Sequence, residues 1–207
     1  MKTSTAPQFQ GKPIVPKDID LTRAGFLEGE FGQAVLEEYK GKVRADYANN
    51  DTLNVLAYDP KRKVVTGSNP FAGVLMHDLV AQRNLRVATP ADLGNIVEAE
   101  TLPLAGHYVD EALVFRSEAE PNIYLAEQLA SQIQARQEMG KSPIMIPHSG
   151  LTLQEDAQSP YGLVFKLKDS AQLIEAPQLA HENNGRRFSR MDANGLPVFD
   201  EQGIRTL

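Results

Sequence analysis

Four histidines, His77, His107, His148 and His181, hold most of the titratable chemistry this chain can offer near neutral pH. His77 is followed by Asp78, and His107 and Asp110 are spaced so that a helix would set them on one face. Zinc needs three or four ligands with nitrogen or sulfur prominent. Neither pair makes such a set, and His-Glu-x-x-His is absent, so no metal and no cofactor are expected. A serine hydrolase needs Ser, His and an acid brought together. Ser149 follows His148, but it sits in Ser-Gly and not in Gly-x-Ser-x-Gly. Adjacent strand residues point to opposite faces, so His148 would not activate Ser149, and His77 or His107 would have to serve instead. The residue inventory permits such a reaction without indicating it, which leaves open whether the chain is an enzyme. The paired carboxylates Glu37-Glu38, Asp110-Glu111 and Glu155-Asp156 stand in polar surroundings and read as solvated surface.

A second constellation depends on helix starts. Gly67-Ser68-Asn69 precedes Pro70, and Thr89 precedes Pro90. Ser117 lies shortly before Pro121, and His148-Ser149 follows the apolar run Pro143–Ile146. Unsatisfied N–H groups and the helix dipole make a helix N-terminus a mild anion site. Gly67, Ser68, Asn69, Thr89, Ser117, His148 and Ser149 are therefore the candidate residues for a small anionic ligand. The Gly67–Asn69 loop is neither a Walker loop nor a dinucleotide fingerprint. Its plainer role is to cap a helix, since every such helix needs a cap.

The elements that must position these residues recur. Val64–Thr66, Leu85–Val87 and Ala112–Phe115 each read as a strand leading through polar residues and a proline into a helix. Proline suits the first helical position, where its missing N–H has no partner to lose. Thr89 with Asp92 resembles a capping box, with Asp in place of the usual Glu or Gln. The helices are expected over Pro70–Arg83, from Pro90 to about Glu98, and over Pro121–Met139, and an earlier one over Phe26–Tyr47. Thr52–Tyr58 and Lys63–Thr66, joined by Asp59-Pro60-Lys61-Arg62, read as a hairpin.

Strands alternating with helices imply crossover connections. The predicted fold class is α/β: a mainly parallel sheet of about four or five strands over residues 50–150 with helices on both faces. A β-rich antiparallel segment extends it. There Leu151–Leu153 and Leu163–Lys168 alternate, and the turn signals Asn184-Gly185, Asn194-Gly195 and Gln202-Gly203 follow. A single domain over residues 1–207 is expected, with a Pro-containing arm over 1–24, an α/β core over 25–150 and the β-rich segment over 151–207. In such a sheet ligands bind beyond the carboxyl ends of the strands.

Composition narrows the function classes. The 207-residue chain has no Cys, which excludes disulfides, thiolate metal sites and a cysteine nucleophile. With 27 acidic against 21 basic residues, and the excess mostly within 101–180, no nucleic-acid partner is expected. The only basic clusters are Lys61-Arg62-Lys63 and Arg186-Arg187 with Arg190. Residues 1–10 lack a secretory apolar run, and no stretch is apolar enough to span a bilayer. No membrane contact and a cytoplasmic location are expected. The favoured function is non-enzymatic, through self-assembly into a homo-oligomer or through partner binding by the arm and the β-rich tail. The alternative is a small anionic-ligand-binding or hydrolase-like protein with its site at the strand ends.

Overall fold

The computed structural model describes residues 24–100, 102–103, 111–115, 123–135, 143–179, 188–191 and 197–199. The expected arm lies, except for Ala24, outside the described residues, as do the three Gly-containing turns after residue 180.

Helix formation follows the apolar spacing. Helix α1 (Gly29–Asp46) buries Val35, Tyr39 and Val43, one turn apart, together with Leu36. The Tyr39 hydroxyl donates to the Leu53 carbonyl at 2.8 Å, so the polar tip of this buried ring is satisfied. Helix α2 (Pro70–Ala81) starts at a proline and buries Phe71, Ala72, Val74, Leu75, Met76, Leu79 and Val80. Its sequence is apolar almost all round, which places it at the centre of the core. Helix α3 is Pro90–Glu98. Helix α4 is Ile123–Gln134 and buries Leu125, Leu129 and Ile133.

The strands are short. β1 (Ala57–Asp59) and β2 (Val64–Thr66) form the expected hairpin, with Ala57 opposite Thr66. The Asp59 carboxylate accepts from Lys61 N–H at 2.8 Å and so organises the turn. The first strand does not begin at Thr52. Asp51–Leu53 is a 3-10 turn, because the Asn50 side chain accepts from Thr52 N–H at 2.8 Å. Such a local bond offers the backbone an alternative to the ladder. Leu85–Val87 forms no strand either, and Leu85 is exposed.

The mainly parallel sheet is overturned. Every strand pairing among the described residues is antiparallel, in separate small sheets. β3 (Ala112–Phe115), β4 (Ile144–Pro147) and β7 (Ile174–Glu175) lie in the order β3-β4-β7. β5 (Leu151–Glu155) pairs with β6 (Leu163–Leu167), and β8 (Phe188–Met191) pairs with β9 (Pro197–Phe199). The reason lies in what a connection can dictate. A parallel pair demands a helix-length connection, but a helix-length connection does not demand a parallel pair. The helix between β3 and β4 in the chain, α4, packs on β6. There the Gln132 amide donates to the Phe165 carbonyl at 3.0 Å and accepts from Leu167 N–H at 2.8 Å. One side chain thus does the work of a neighbouring strand. β4 still reads as a doubly covered strand, since all four of its residues are buried. One face of its sheet joins the main core, and the other packs Met145 with Ile174 and Ala176.

The main core joins α1, α2, α4 and the β5–β6 pair. At its centre the Phe71 ring stacks on Phe165 with centroids 4.4 Å apart and meets Tyr161 at 5.3 Å. Among the described residues no helix is long and apolar enough to cross a membrane.

Candidate functional site

Without a parallel sheet there is no shared carboxyl edge, and the candidate residues separate. Ser117 lies outside the described residues, as do His107, Asp110, His181 and the pair Arg186-Arg187. Gly67 follows β2 with φ +89°, and its backbone runs against the Val55 carbonyl. Ser68 beside it is exposed. Asn69 is committed at both ends of its amide. Its oxygen accepts from Ala72 N–H at 2.8 Å, capping α2, and its nitrogen donates to the Thr52 carbonyl at 2.7 Å.

Thr89 is committed in the same way to α3. Asp92 N–H donates to its hydroxyl at 3.3 Å, and Thr89 N–H donates to the Asp92 carboxylate at 2.8 Å. This reciprocal pair is the capping box expected from the sequence. Asp92 is only 3% exposed and also receives the Arg86 guanidinium. Burial opposes its charge, but hydrogen bonds from Arg86 and Thr89 outweigh that and hold its carboxyl below the usual range. The start of α3 is thus closed by its own side chains.

His148 and Ser149 do meet α2. They occupy the 3-10 turn His148–Gly150 between β4 and β5. His148 is 1% exposed, and its backbone N–H donates to the Glu111 carbonyl at 3.0 Å. Its ring fills the notch left by Gly73 on α2, where a Cβ would stand 2.5 Å from Nδ1. Burial, reinforced by the charge of His77, pushes the imidazole down to about 4. His77, one turn along α2, is also lowered, by burial and then by the charges of Lys168 and Arg86, with Asp78 opposing. Lys168 Nζ donates to Asp78 at 2.6 Å and to the Ser149 carbonyl at 3.2 Å. Ser149 therefore contributes its carbonyl to the cluster.

At neutral pH this is a pair of uncharged imidazoles beside a Lys168–Asp78 ion pair. Its lysine charge is already matched, so it offers an anion little attraction; it clamps the β4–β5 turn onto α2. Among the described residues no group of three His, Cys, Asp or Glu is placed to hold a metal ion. Sequence reasoning missed Gly73 and Lys168. A glycine inside a strongly apolar helix is the signal that would have marked a close approach.

A double-mutant cycle tests the notch. Gly73→Ala is expected to cost about 1–3 kcal/mol in denaturant unfolding, as overpacking does. In a His148→Ala background the same change should become neutral or stabilising by about 1 kcal/mol, since Ala is the better helix former. An equal cost in both backgrounds rules the notch out.

The strongest surface feature lies across the sheet from this turn. The bond from His148 to Glu111 sets the hydrogen-bonding alternation of β3 against β4. Residues 111, 113 and 115 face β4, and the peptide groups of Ala112 and Val114 face outward. Among the described residues no backbone group pairs with that edge. The edge is Ala-Leu-Val-Phe, without Pro, Lys or another charge, and Val114 is 36% exposed. The outer edge of β6 is treated differently. Besides Gln132, the Ser159 hydroxyl donates to the Leu163 carbonyl at 2.6 Å, so side chains occupy that edge.

Comparison with protein-family descriptions, with curated proteins and with solved structures finds no match for this chain.

Proposed function

We propose that the chain acts by association, with further copies of itself or with a partner chain, and not by chemistry of its own. The observation that carries this is the outer edge of β3. Unpaired strand edges template the addition of another strand, and proteins that do not use them blunt them with Pro, Lys, bulges or covering elements. β6 carries such cover, from Gln132 and Ser159. β3 presents outward peptide groups at Ala112 and Val114 on an apolar tetrapeptide. The expectation of assembly through the arm and the β-rich tail is here extended to this edge.

Val114→Pro tests it. The outward N–H of Val114 takes no part in pairing with β4, so proline removes a donor from the open edge and spares the β3–β4 ladder. In sedimentation across a wide concentration range, the unaltered chain is expected to form a larger species. The variant should stay monomeric with an unchanged far-ultraviolet circular dichroism spectrum. A variant that assembles as well as the original chain overturns the proposal.

A further inference from the structure

We infer that the strand added to β3 is the β3 of a second copy of this chain, antiparallel, with Leu113 on the two-fold axis. This rests on the association proposed above and specifies its partner and register.

The register follows from hydrogen-bond counting. A strand pair exchanges two N–H···O bonds wherever two residues with outward peptide groups stand directly opposite. Within β3 those residues are Ala112 and Val114. Centring the two-fold on Leu113 puts Ala112 opposite Val114 of the second copy, and Val114 opposite its Ala112. All the outward donors and acceptors of both strands are then paired. Moving the axis to Val114 or to Ala112 leaves one such pair within the strands and strands the rest. Odd offsets set outward groups against peptide groups already used by β4. Only the Leu113 register satisfies the whole edge.

A two-fold axis perpendicular to the sheet makes the two copies antiparallel, the arrangement in which directly opposed residues exchange both N–H···O bonds. An isologous contact of this kind closes on itself and ends at a dimer. The result is one continuous sheet, β7-β4-β3 followed by the same three strands reversed. The edge left over on each side is the two-residue β7, which is short enough to be a poor template.

The chain has no cysteine, so single introduced thiols report the register directly. In the Leu113 register, residue 113 faces its own copy in a pair without hydrogen bonds, where Cα atoms lie about 4.5 Å apart, within disulfide range. Under mild oxidation Leu113→Cys is expected to yield a covalent dimer on a non-reducing gel. Ala112→Cys and Val114→Cys alone should link poorly, and an equimolar mixture of the two should link well. Circular dichroism and sedimentation of each reduced variant show that it has folded and assembled. Efficient linking through Val114→Cys or Ala112→Cys alone overturns this register, while sensitivity of assembly to Val114→Pro would still uphold the association. Absence of linking at all three positions, with assembly still blocked by Val114→Pro, overturns β3 self-pairing and leaves a different strand as the partner. Absence of linking together with insensitivity to Val114→Pro overturns both.

Discussion

Lowering the pH from 6.5 to 4 is expected to remove about 3 kcal/mol of folding stability through His148 alone. The imidazole is 1% exposed, seated in the Gly73 notch. Burial first, and the charge of His77 second, lower it from 6.5 to about 4. In the unfolded chain it titrates near its ordinary value. Between pH 6.5 and 4 the unfolded state therefore binds a proton that the folded state refuses, and stability falls as the pH falls. Above pH 6.5 the group is neutral in both states, and below about 4 it is charged in both, so the slope is confined to that window. The groups around it do not offset the loss. Lys168 and Arg86 repel an added proton at His77, and Asp78 is engaged by Lys168. His77 is lowered as well and loses stability in the same direction. The contribution of Asp92, whose carboxyl is held below its usual range, is lost at still lower pH. Chemical denaturation at pH 6.5 and at pH 4, for the original chain and for His148→Leu, isolates the term. The variant should lose about 3 kcal/mol less across the window, with any relaxation of His77 adding to the difference. Equal losses in the two proteins would remove His148 from the acid response.

Gly67→Ala is expected to destabilise the fold by about 3 kcal/mol or more, from two independent costs. The first is conformational: at φ +89° a side chain meets steric strain that glycine avoids. The second is contact. A Cβ at this position would stand well inside van der Waals distance of the Val55 carbonyl oxygen. That atom belongs to backbone, and no rotamer change can clear it. The site closes the base of the β1–β2 hairpin, just past the Ala57–Thr66 pair, so relief would require the two chains to part. Gly41 supplies the control. It lies within α1 with nothing within 4 Å of a built Cβ, and Gly41→Ala should stabilise by about 0.5–1 kcal/mol. Thermal unfolding of the two variants should move in opposite directions. A Gly67→Ala protein as stable as the original would show that the hairpin base is looser than its geometry.

Much of the local structure was legible in the residues. Pro70 and Pro90, preceded by Asn69 and Thr89, marked the starts of α2 and α3. The Thr89–Asp92 pairing forms through the side chains that the sequence suggested. Asp59-Pro60 marked the hairpin turn, and the alternation from Leu163 marked β6. Caps, turns and periodicities act over three or four neighbouring residues, and nothing distant is needed to satisfy them. The gathering of the candidate residues at one carboxyl edge went with the parallel sheet. Asn69 and Thr89 were rightly singled out as special, yet their polar groups are used to close helix ends and tie α2 to Thr52.

What the sequence determined by itself is therefore the positions of the four described helices and of most strands, the starts of α2 and α3, and that thiol chemistry is excluded. The tertiary structure alone decided strand direction, and with it the site. An apolar run such as Ile144–Ile146 can pair in either direction, and a helix between two strands, here α4 bound to the edge of β6 through Gln132, permits both. The same long-range choice put His148 into the notch of Gly73 and left the peptide groups of Ala112 and Val114 facing outward. Those features join residues far apart in the chain, and no local pattern encodes which distant backbone will lie beside them.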